Sequence, residues 1–184
     1  MVLSSYAPTL CYFREDMMLA MLNNGHEVIA AAPEPQEVWE PKFRKMGIKY
    51  ISINGIERTG VNPLKDILGF ISILKAIKKE KPDKIFTYQA KTIIYGALAA
   101  KFVGINEIYV LMGGLGSVFR TKRKSLIKKI LKIEYKIAFK FSNKIFIQNK
   151  DDYKKLIDSK LIKHNQAVMI NGSGVKPFLL KAGP

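Results

Sequence analysis

The sequence predicts a doubly wound α/β domain, in which a mostly parallel sheet carries helices on both faces. Short apolar runs alternate with longer amphipathic segments from one end of the chain to the other, which is the pattern of repeated β-α units. The apolar runs do not alternate with polar residues, so both faces of each strand are expected to be buried. With 184 residues the chain can bury such a core within one domain.

Each predicted strand is a short apolar run. In chain order the runs are MVLS at 1–4, EVIAAAP at 27–33, IKYISIN at 48–54, DKIFTYQ at 83–89, EIYVLM at 107–112, NKIFIQN at 143–149 and AVMING at 167–172. Pro33 ends the second run and Gly113 follows the fifth. Both residues interrupt regular structure, so these strand ends are well defined.

The segments between the strands have helical spacing. They are FREDMMLAMLNNGH at 13–26, VWEPKFRKMG at 38–47, NPLKDILGFISILKAIKKEKP at 62–82, AKTIIYGALAAKFVG at 90–104, a lysine-rich stretch within 120–144 and KDDYKKLIDSKL at 150–161. Asn24-Gly25 and Gly47 are stop signals. Asn62 is expected to cap its helix, with Pro63 at the first helical position.

Composition excludes several classes of protein. Hydrophobic residues make up 48% of the chain, which is too many for a disordered protein. The single cysteine, Cys11, cannot form an internal disulfide, and a reducing compartment is therefore expected. His26 and His164 are far apart in sequence, so no metal site is predicted. No signal peptide or membrane span is apparent, and we expect a cytoplasmic protein.

Positive charge is concentrated in one segment. The formal net charge is +16, yet the first 60 residues carry six Lys and Arg against seven Asp and Glu. Residues 120–144 carry ten basic residues against Glu134 alone. Such a segment is typical of a surface that binds polyanions, either nucleic acid or anionic lipid headgroups.

The predicted fold indicates where a ligand would bind. In doubly wound sheets, ligands lie beyond the carboxyl ends of the strands, where the winding reverses. Four segments are expected there: SSYAPTLCYFR, YQAKT, GGLGS and NGSG. They supply hydroxyls, amides, aromatic rings, cations and glycine backbone, from Ser4, Ser5, Tyr6, Arg14, Tyr88, Gln89, Lys91, Thr92, Gly113, Gly114, Leu115, Gly116, Ser117, Asn171 and Gly172.

This set of groups suits sugars and phosphates. Hydroxyls and amides match a sugar ring, while cations and helix N-termini match an anion. Capping or turn chemistry is the more usual role of any one of these residues. The segments contain no carboxylate pair, Cys-His pair or Ser-His-Asp order, so no catalytic residue is predicted.

The glycine-rich segment GGLGS allows two interpretations from its residues alone. It is either a phosphate-binding loop or a plain turn between a strand and a helix. It matches neither the dinucleotide fingerprint nor the P-loop pattern.

The order of motifs along the chain resembles the N-terminal half of a bacterial family 4 glycosyltransferase. The segments that carry this resemblance include FREDMMLAMLNNGHEVIAAAPE, GIKYISI, GGLGS, YKIAFKFSNKIFIQNKDD and VMINGSGV, together with the long stretch from RTGVNPLKD to AAKFVGI. Within the family, the chain is most similar to enzymes that extend sugars on undecaprenyl diphosphate, of the bacillosamine-linked N-acetylgalactosaminyltransferase type. The first strand is shorter than is usual in the family.

The resemblance implies a GT-B architecture, in which two Rossmann-like domains face each other across a cleft. Residues 1–175 would be the N-terminal, acceptor-binding domain, and 176–184 a tail that leads to a C-terminal donor domain absent from this sequence. GGLGS then corresponds to a loop of the cleft. The donor would be a nucleotide sugar and the acceptor a polyprenyl-diphosphate-linked sugar. No cofactor is expected in this chain, which would be inactive without its second domain.

The lysine-rich helix has two interpretations. Lys128, Lys132, Lys136 and Lys140 recur every four residues, and the apolar residues Leu126, Ile130, Ile133, Ile137 and Phe141 mark another face. In one interpretation the apolar face packs on the sheet and the lysines are only solvated. In the other, the lysines contact the anionic inner face of the cell membrane, where a lipid-linked acceptor would lie.

Two other functions remain as alternatives. A non-catalytic nucleic-acid-binding module would account for the charge, although the sequence shows no recognised nucleic-acid-binding fold. A nucleotide-dependent oxidoreductase is weaker, because no glycine fingerprint follows the first strand. The sequence favours the acceptor-binding domain of a membrane-associated sugar transferase that makes cell-surface polysaccharide or glycoprotein glycans.

Overall fold

The computed structural model describes residues 1–57, 62–115 and 126–172. Seven strands form one sheet in the order β3-β2-β1-β4-β5-β6-β7, and all neighbours are parallel. The strands are β1 Val2–Leu3, β2 Ile29–Ala32, β3 Lys49–Ser52, β4 Lys84–Tyr88, β5 Glu107–Met112, β6 Lys144–Ile147 and β7 Ala167–Met169. Each strand lies within a predicted apolar run, so the predicted fold class is confirmed.

Among the described residues, seven α-helices connect or flank these strands. They are α1 Ala7–Phe13, α2 Glu15–Asn23, α3 Gln36–Arg44, α4 Pro63–Glu80, α5 Ala90–Val103, α6 Leu126–Phe141 and α7 Lys150–Asp158, with a 3₁₀ turn at His164–Gln166. The predicted start of α4 is confirmed, because Asn62 Oδ1 accepts a hydrogen bond of 3.3 Å from Lys65 N. No helix in the described part of the chain is long and apolar enough to cross a membrane.

The segment after β1 differs from the sequence prediction. SSYAPTLCYFR was expected to be a loop with a helix beginning at Phe13, but residues 7–13 form α1 and a second helix begins at Glu15. Pro8 lies in the first turn of α1, where its missing N–H costs no hydrogen bond. Arg14 separates the two helices with φ −127° and ψ 3°. Only the first three residues of the segment, Ser4 to Tyr6, are left to connect β1 to α1.

The winding of the sheet reverses between β1 and β4. β1 pairs with β2 on one side and with β4 on the other, and the helices accordingly divide between the two faces. One hydrophobic core joins the sheet to α1, α2 and α3. The other joins it to α4, α5 and α6, together with Leu156 of α7. Val2 contributes to the first core and Leu3 to the second, as alternation along a strand requires.

The face that carries α1–α3 continues past β1 as an open apolar groove. Its volume is about 870 Å³, and strand side chains that line it include Phe86, Tyr109, Leu111 and Phe146. The rings of Phe86 and Phe146 lie 6.2 Å apart between centroids. Parallel sheets normally bury both faces. This part of the sheet therefore presents a surface suited to covering by further apolar structure.

Helix α6 packs on the sheet through a different face from the one that the sequence suggested. Tyr135, Ala138 and Phe139 are buried against the sheet. The apolar row Leu126, Ile130, Ile133 and Ile137 is exposed instead, at 72%, 47%, 59% and 40% of its maximal area. The interpretation in which this row packs on the sheet is therefore wrong for these four residues. Of the five apolar residues that it named, Phe141 is the one that packs against the core.

Candidate functional site

The loops after β1 and β4 meet where the winding reverses. The side-chain oxygen Oε1 of Gln89 accepts hydrogen bonds from the backbone nitrogen and the hydroxyl of Ser5, each 2.8 Å long. The hydroxyl of Ser4 lies 2.9 Å from the same oxygen. Tyr6 N also donates to Ser4 Oγ over 3.0 Å. These contacts bring together the loop residues predicted from two distant segments of the chain.

Gln89 has an unusual backbone conformation. Its φ is +75° and its ψ is 144°, a region that is populated almost only by glycine. The residue precedes α5, yet its side chain does not cap that helix and instead contacts the β1 loop. The positive end of the α5 dipole therefore lies at the reversal point, where it favours an anion.

Tyr88 and Arg14 line the same region. Tyr88 is buried, and its hydroxyl is hydrogen-bonded to the hydroxyl of Thr9. Burial raises the pKa of Tyr88, so its hydroxyl is neutral at physiological pH. The guanidinium carbon of Arg14 lies 5.1 Å from the centre of the Tyr88 ring, in a cation–π arrangement. A permanent positive charge is thus held beside the reversal point.

Glu34 is a site residue that the sequence did not single out. It follows β2, and its Oε2 accepts a hydrogen bond of 2.6 Å from Ala7 N at the start of α1. The hydroxyl of Tyr50 donates to the backbone oxygen of Glu34 over 2.9 Å. A carboxylate at a helix N-terminus matches the helix dipole. Glu34 therefore fixes α1 against the end of β2.

Lys91 and Thr92 are engaged within the protein. Lys91 Nζ lies 2.7 Å from Asp66 Oδ1 of α4, and both side chains are at most 16% exposed. Thr92 is buried, and its hydroxyl donates to the backbone oxygen of Gln89 over 3.1 Å. Lys91 links α5 to α4, and Thr92 closes the first turn of α5.

The glycine-rich loop after β5 is held by a buried carboxylate. Asp152 is 2% exposed, and its Oδ2 accepts a hydrogen bond of 3.0 Å from Leu115 N. Asn149 Nδ2 donates to the same oxygen over 2.8 Å, while Asp152 N donates to Asn149 Oδ1 over 2.7 Å. Asn149 caps α7. The sequence did not identify this pair, although an asparagine at the start of a helical segment is a possible N-cap signal. The loop after β5 is thus tied to the start of α7.

Contacts with the described residues do not require glycine at positions 113 and 114. A Cβ on Gly113 would lie 3.5 Å from Gln148 Oε1, and one on Gly114 would lie 3.8 Å from Asp152 Oδ2, both ordinary contacts. Neither glycine has a positive φ. Gly55 differs, because its φ is +80° and a Cβ there would lie 2.7 Å from the backbone nitrogen of Gly69. Packing among the described residues explains Gly55 but not Gly113 or Gly114.

The remaining predicted residues lie at the margins of this edge. Asn171 lines the apolar groove, and a Cβ added to Gly172 would meet none of the described residues within 4 Å. Gly116 and Ser117 lie outside the described residues. Within 1–57, 62–115 and 126–172, no group of His, Cys, Asp and Glu is placed to hold a metal ion.

This arrangement is suited to binding a polar anionic ligand. It combines the N-terminus of α5 and the Arg14 charge with the glycine-containing loop after β5. No pair of carboxylates or activated nucleophile lies among the contacts described above. The edge can therefore position a substrate, and the chemistry would need groups from elsewhere.

Comparison with known proteins identifies relatives that are named as glycosyltransferases. The chain is 26% identical over 175 residues to a Campylobacter jejuni enzyme, the N,N'-diacetylbacillosaminyl-diphospho-undecaprenol alpha-1,3-N-acetylgalactosaminyltransferase, covering 94% of this chain and 46% of that protein. It is 37% identical over 75 residues to an Escherichia coli UDP-Gal:alpha-D-GlcNAc-diphosphoundecaprenol alpha-1,3-galactosyltransferase, covering 40% of this chain and 19% of that protein. The chain therefore spans less than half the length of either relative.

Solved structures confirm the fold. A glycosyltransferase from Rickettsia africae superimposes with a TM-score of 0.63 at 17% identity, over 92% of this chain and 41% of that one. At this identity the likeness establishes the fold alone. The family model described as "Glycosyl transferase 4-like" matches residues 9–149, which include β4, β5 and the described residues that follow each of them. The chain belongs to the glycosyl transferase 4-like family.

Proposed function

We propose that this chain is the N-terminal, acceptor-binding domain of a glycosyltransferase. The enzyme would move a sugar from a nucleotide-sugar donor to a lipid-linked glycan acceptor, in the synthesis of cell-surface polysaccharide or glycoprotein glycans. The family assignment and the names of the two curated relatives support this function over a nucleic-acid-binding module. Both relatives are named for acceptors built on undecaprenyl diphosphate.

The observation that carries the proposal is the glycine-rich loop after β5. At Gly113 and Gly114 the described residues leave room for a side chain, and Asp152 accepts a hydrogen bond from the adjacent backbone nitrogen of Leu115. Where packing does not require glycine, the close approach of a ligand to the backbone would explain its presence. The loop lies on the same edge as Arg14 and the N-terminus of α5, which would attract a diphosphate.

A second domain would complete the enzyme. The chain covers 46% of the Campylobacter relative, and the edge described here lacks a catalytic set. The apolar groove over β4, β5 and β6 supports this part of the proposal, since it offers about 870 Å³ for further structure. We expect the donor nucleotide to bind mainly to that second domain, which could belong to the same chain or to a separate one. No cofactor in this chain is invoked.

The proposed acceptor places the enzyme at the inner face of the cell membrane, as a peripheral cytoplasmic protein. Lys129, Lys136 and Lys140 of α6 are exposed, and Lys128 and Lys132 are half-buried beside them. The only acidic residue of this helix is Glu134. Cations near an anionic leaflet contribute about 1 kcal/mol each to binding, so this helix would favour the membrane surface.

Activity assays with a short polyprenyl-diphosphate-linked sugar test the proposal. A protein that contains this chain and a second α/β domain should transfer sugar from a nucleotide donor, and Gly114→Val should abolish that transfer. The 184-residue chain alone should be inactive. Turnover by the isolated chain would contradict the two-domain proposal, and lack of transfer from every nucleotide sugar by the longer protein would contradict the function.

A further inference from the structure

Helix α4 carries a continuous apolar row that faces away from the sheet. The row consists of Leu64, Ile67, Leu68 and Ile71, and Leu64 and Leu68 are 74% and 59% exposed. The opposite side of α4 packs on the sheet through Ile73 and Ile77. Single exposed aliphatic residues are common on protein surfaces. A row of four at helical spacing instead indicates a surface that a lipid bilayer or another molecule covers.

Helix α6 carries the matching row, Leu126, Ile130, Ile133 and Ile137. Helices α4, α5 and α6 share one core on one face of the sheet. Helix α5 is largely buried between its neighbours, with Ile93, Ile94 and Ala97 inaccessible. The three helices form one layer on this face of the sheet, and its solvent-exposed side is therefore formed mainly by α4 and α6.

The two rows belong to helices on the same face of the sheet. Burial, and next the negative charge of Asp66 on α4, raises the pKa of Glu134 on α6. Ile130 and Ile137 stand four residues before and three residues after Glu134, which places them beside it on the helix surface. Ile67 directly follows Asp66 on α4. Helix α5 contacts both α4 and α6, so the two apolar rows belong to neighbouring parts of one helical layer.

Positive charge surrounds this apolar surface. The exposed Lys129, Lys136 and Lys140 run along α6 beside its apolar row, and Lys75 and Lys78 continue the exposed side of α4. Exposed aliphatic rows bordered by lysines match the interfacial region of an anionic bilayer, where acyl chains lie below phosphate groups.

We propose that the apolar rows of α4 and α6 insert into the interfacial region of an anionic lipid bilayer while the bordering lysines contact the headgroups. The inference rests on the proposed peripheral location and adds to it a second helix and a hydrophobic component. Pairing of two copies through this face is disfavoured, because two-fold symmetry would bring the lysines of both copies together.

Vesicle binding by the full 184-residue chain tests the inference. The double substitution Ile67→Ser and Leu68→Ser retains every lysine. It should reduce binding to phosphatidylcholine–phosphatidylglycerol vesicles about tenfold, since less aliphatic surface leaves water. The matched control, Tyr12→Ser with Val38→Ser, removes two residues of similar exposure, 52% and 51%, from α1 and α3 on the other face of the sheet. It should bind like the unmodified chain.

Fluorescence gives an independent measure of insertion. An indole introduced by Leu68→Trp should shift to shorter wavelength on vesicles and be quenched by lipids with brominated acyl chains. The native Trp39 is 8% exposed and lies on the other face of the sheet, so it should not respond.

Two results would overturn the inference. One is unchanged vesicle binding by the serine double variant together with no quenching of the introduced indole. The other is a change from dimer to monomer on the serine substitutions with vesicle binding unaffected, which would assign the face to a second copy. Transfer to a water-soluble acceptor by the longer enzyme is measured separately, so failure of membrane insertion is distinguishable from failure of the proposed function.

Discussion

Gln89 Oε1 accepts hydrogen bonds from both the backbone nitrogen and the hydroxyl of Ser5, each 2.8 Å long. This relationship joins residues that are 84 positions apart and locks the β1 loop to the β4 loop where the sheet reverses its winding. Gln89 maintains it with a φ of +75°. Backbone strain at a ligand-binding edge is commonly retained because the surrounding contacts fix it.

Two substitutions of Gln89 should separate the contribution of its hydrogen bonds to the stability of the domain from the cost of its backbone strain. Gln89→Ala should lower the free energy of unfolding by about 1–3 kcal/mol, because the buried Ser5 donors lose their acceptor. Gln89→Gly loses the same bonds but relieves the strained φ, so it should be less destabilising by about 1 kcal/mol. Urea unfolding of the 184-residue chain measures both. The argument for strain fails if the glycine variant unfolds at a lower urea concentration than the alanine variant.

Asp152 should stabilise the loop after β5. Asp152→Ala leaves Leu115 N without its acceptor and should cost about 1–3 kcal/mol of unfolding free energy. Asp152→Asn keeps one side-chain oxygen and should cost less. The neighbouring Asp151 is exposed in the first turn of α7, so Asp151→Ala serves as the control and should stay within about 0.5 kcal/mol of the unmodified chain. Equal losses for Asp151→Ala and Asp152→Ala would contradict a specific role of Asp152.

Gly114 and Gly55 should respond oppositely in stability and activity. Gly114→Val should leave the domain folded, yet abolish transfer in the longer enzyme, because the side chain obstructs the ligand. Gly55→Ala should destabilise the domain by about 1–3 kcal/mol, because its φ of +80° is unfavourable for alanine and its Cβ would lie 2.7 Å from Gly69 N. Thermal unfolding and transfer assays measure the two effects. Normal transfer by Gly114→Val would make the loop a plain turn.

The sequence predicted the seven strands because each is an apolar run of limited length with a turn signal at its end. It did not predict α1, since APTLCYF has little helical periodicity, and its helix is stabilised by the distant Glu34 through Ala7 N. The sequence also did not predict the ion pair between Lys91 and Asp66. Contacts between segments far apart in the chain leave no local pattern.

The orientation of α6 is a second feature that the sequence did not predict correctly. This helix carries two sets of apolar residues. The more regular set, Leu126, Ile130, Ile133 and Ile137, is the one that the sequence identified as the apolar face. Tyr135, Ala138 and Phe139 instead face the sheet, because helix position is decided by the shape and area that the whole layer buries. A hydrophobic pattern identifies an amphipathic helix, but choosing between two apolar sides requires the tertiary structure.

Glu134 should make the stability of the domain depend on pH. Burial, and next the charge of Asp66, raises the pKa of Glu134 above its ordinary value of 4.5. The folded state then holds this proton more tightly than the unfolded state does, so stability decreases as the pH rises from 4.5 through the folded pKa. Glu134→Gln should remove that decrease and stabilise the domain at neutral pH. Urea unfolding across this range would contradict the assignment if the variant kept the same pH dependence.

The lysines of α6 should contribute to membrane binding through their charge. Replacing Lys128, Lys132, Lys136 and Lys140 with glutamine should leave the fold intact, because these side chains lie on the solvent-accessible part of the helix. Binding to anionic vesicles should weaken by roughly 1 kcal/mol for each lysine near the surface. The exposed pair, Lys136 and Lys140, should account for more of the loss than the half-buried pair. Equal binding of the unmodified chain to neutral and anionic vesicles would contradict electrostatic docking.

Salt and competition together identify the polyanion that the lysines of α6 bind. Vesicle binding should decrease as salt rises, because the Debye length falls from about 10 Å at 0.1 M to about 3 Å at 1 M. Nucleic acid would show the same trend, so salt alone cannot separate the two partners. A membrane surface also offers an apolar phase to the row Leu126–Ile137, and DNA does not. Duplex or single-stranded DNA should therefore fail to displace the domain from anionic vesicles at low micromolar concentration, and displacement there would favour nucleic-acid binding.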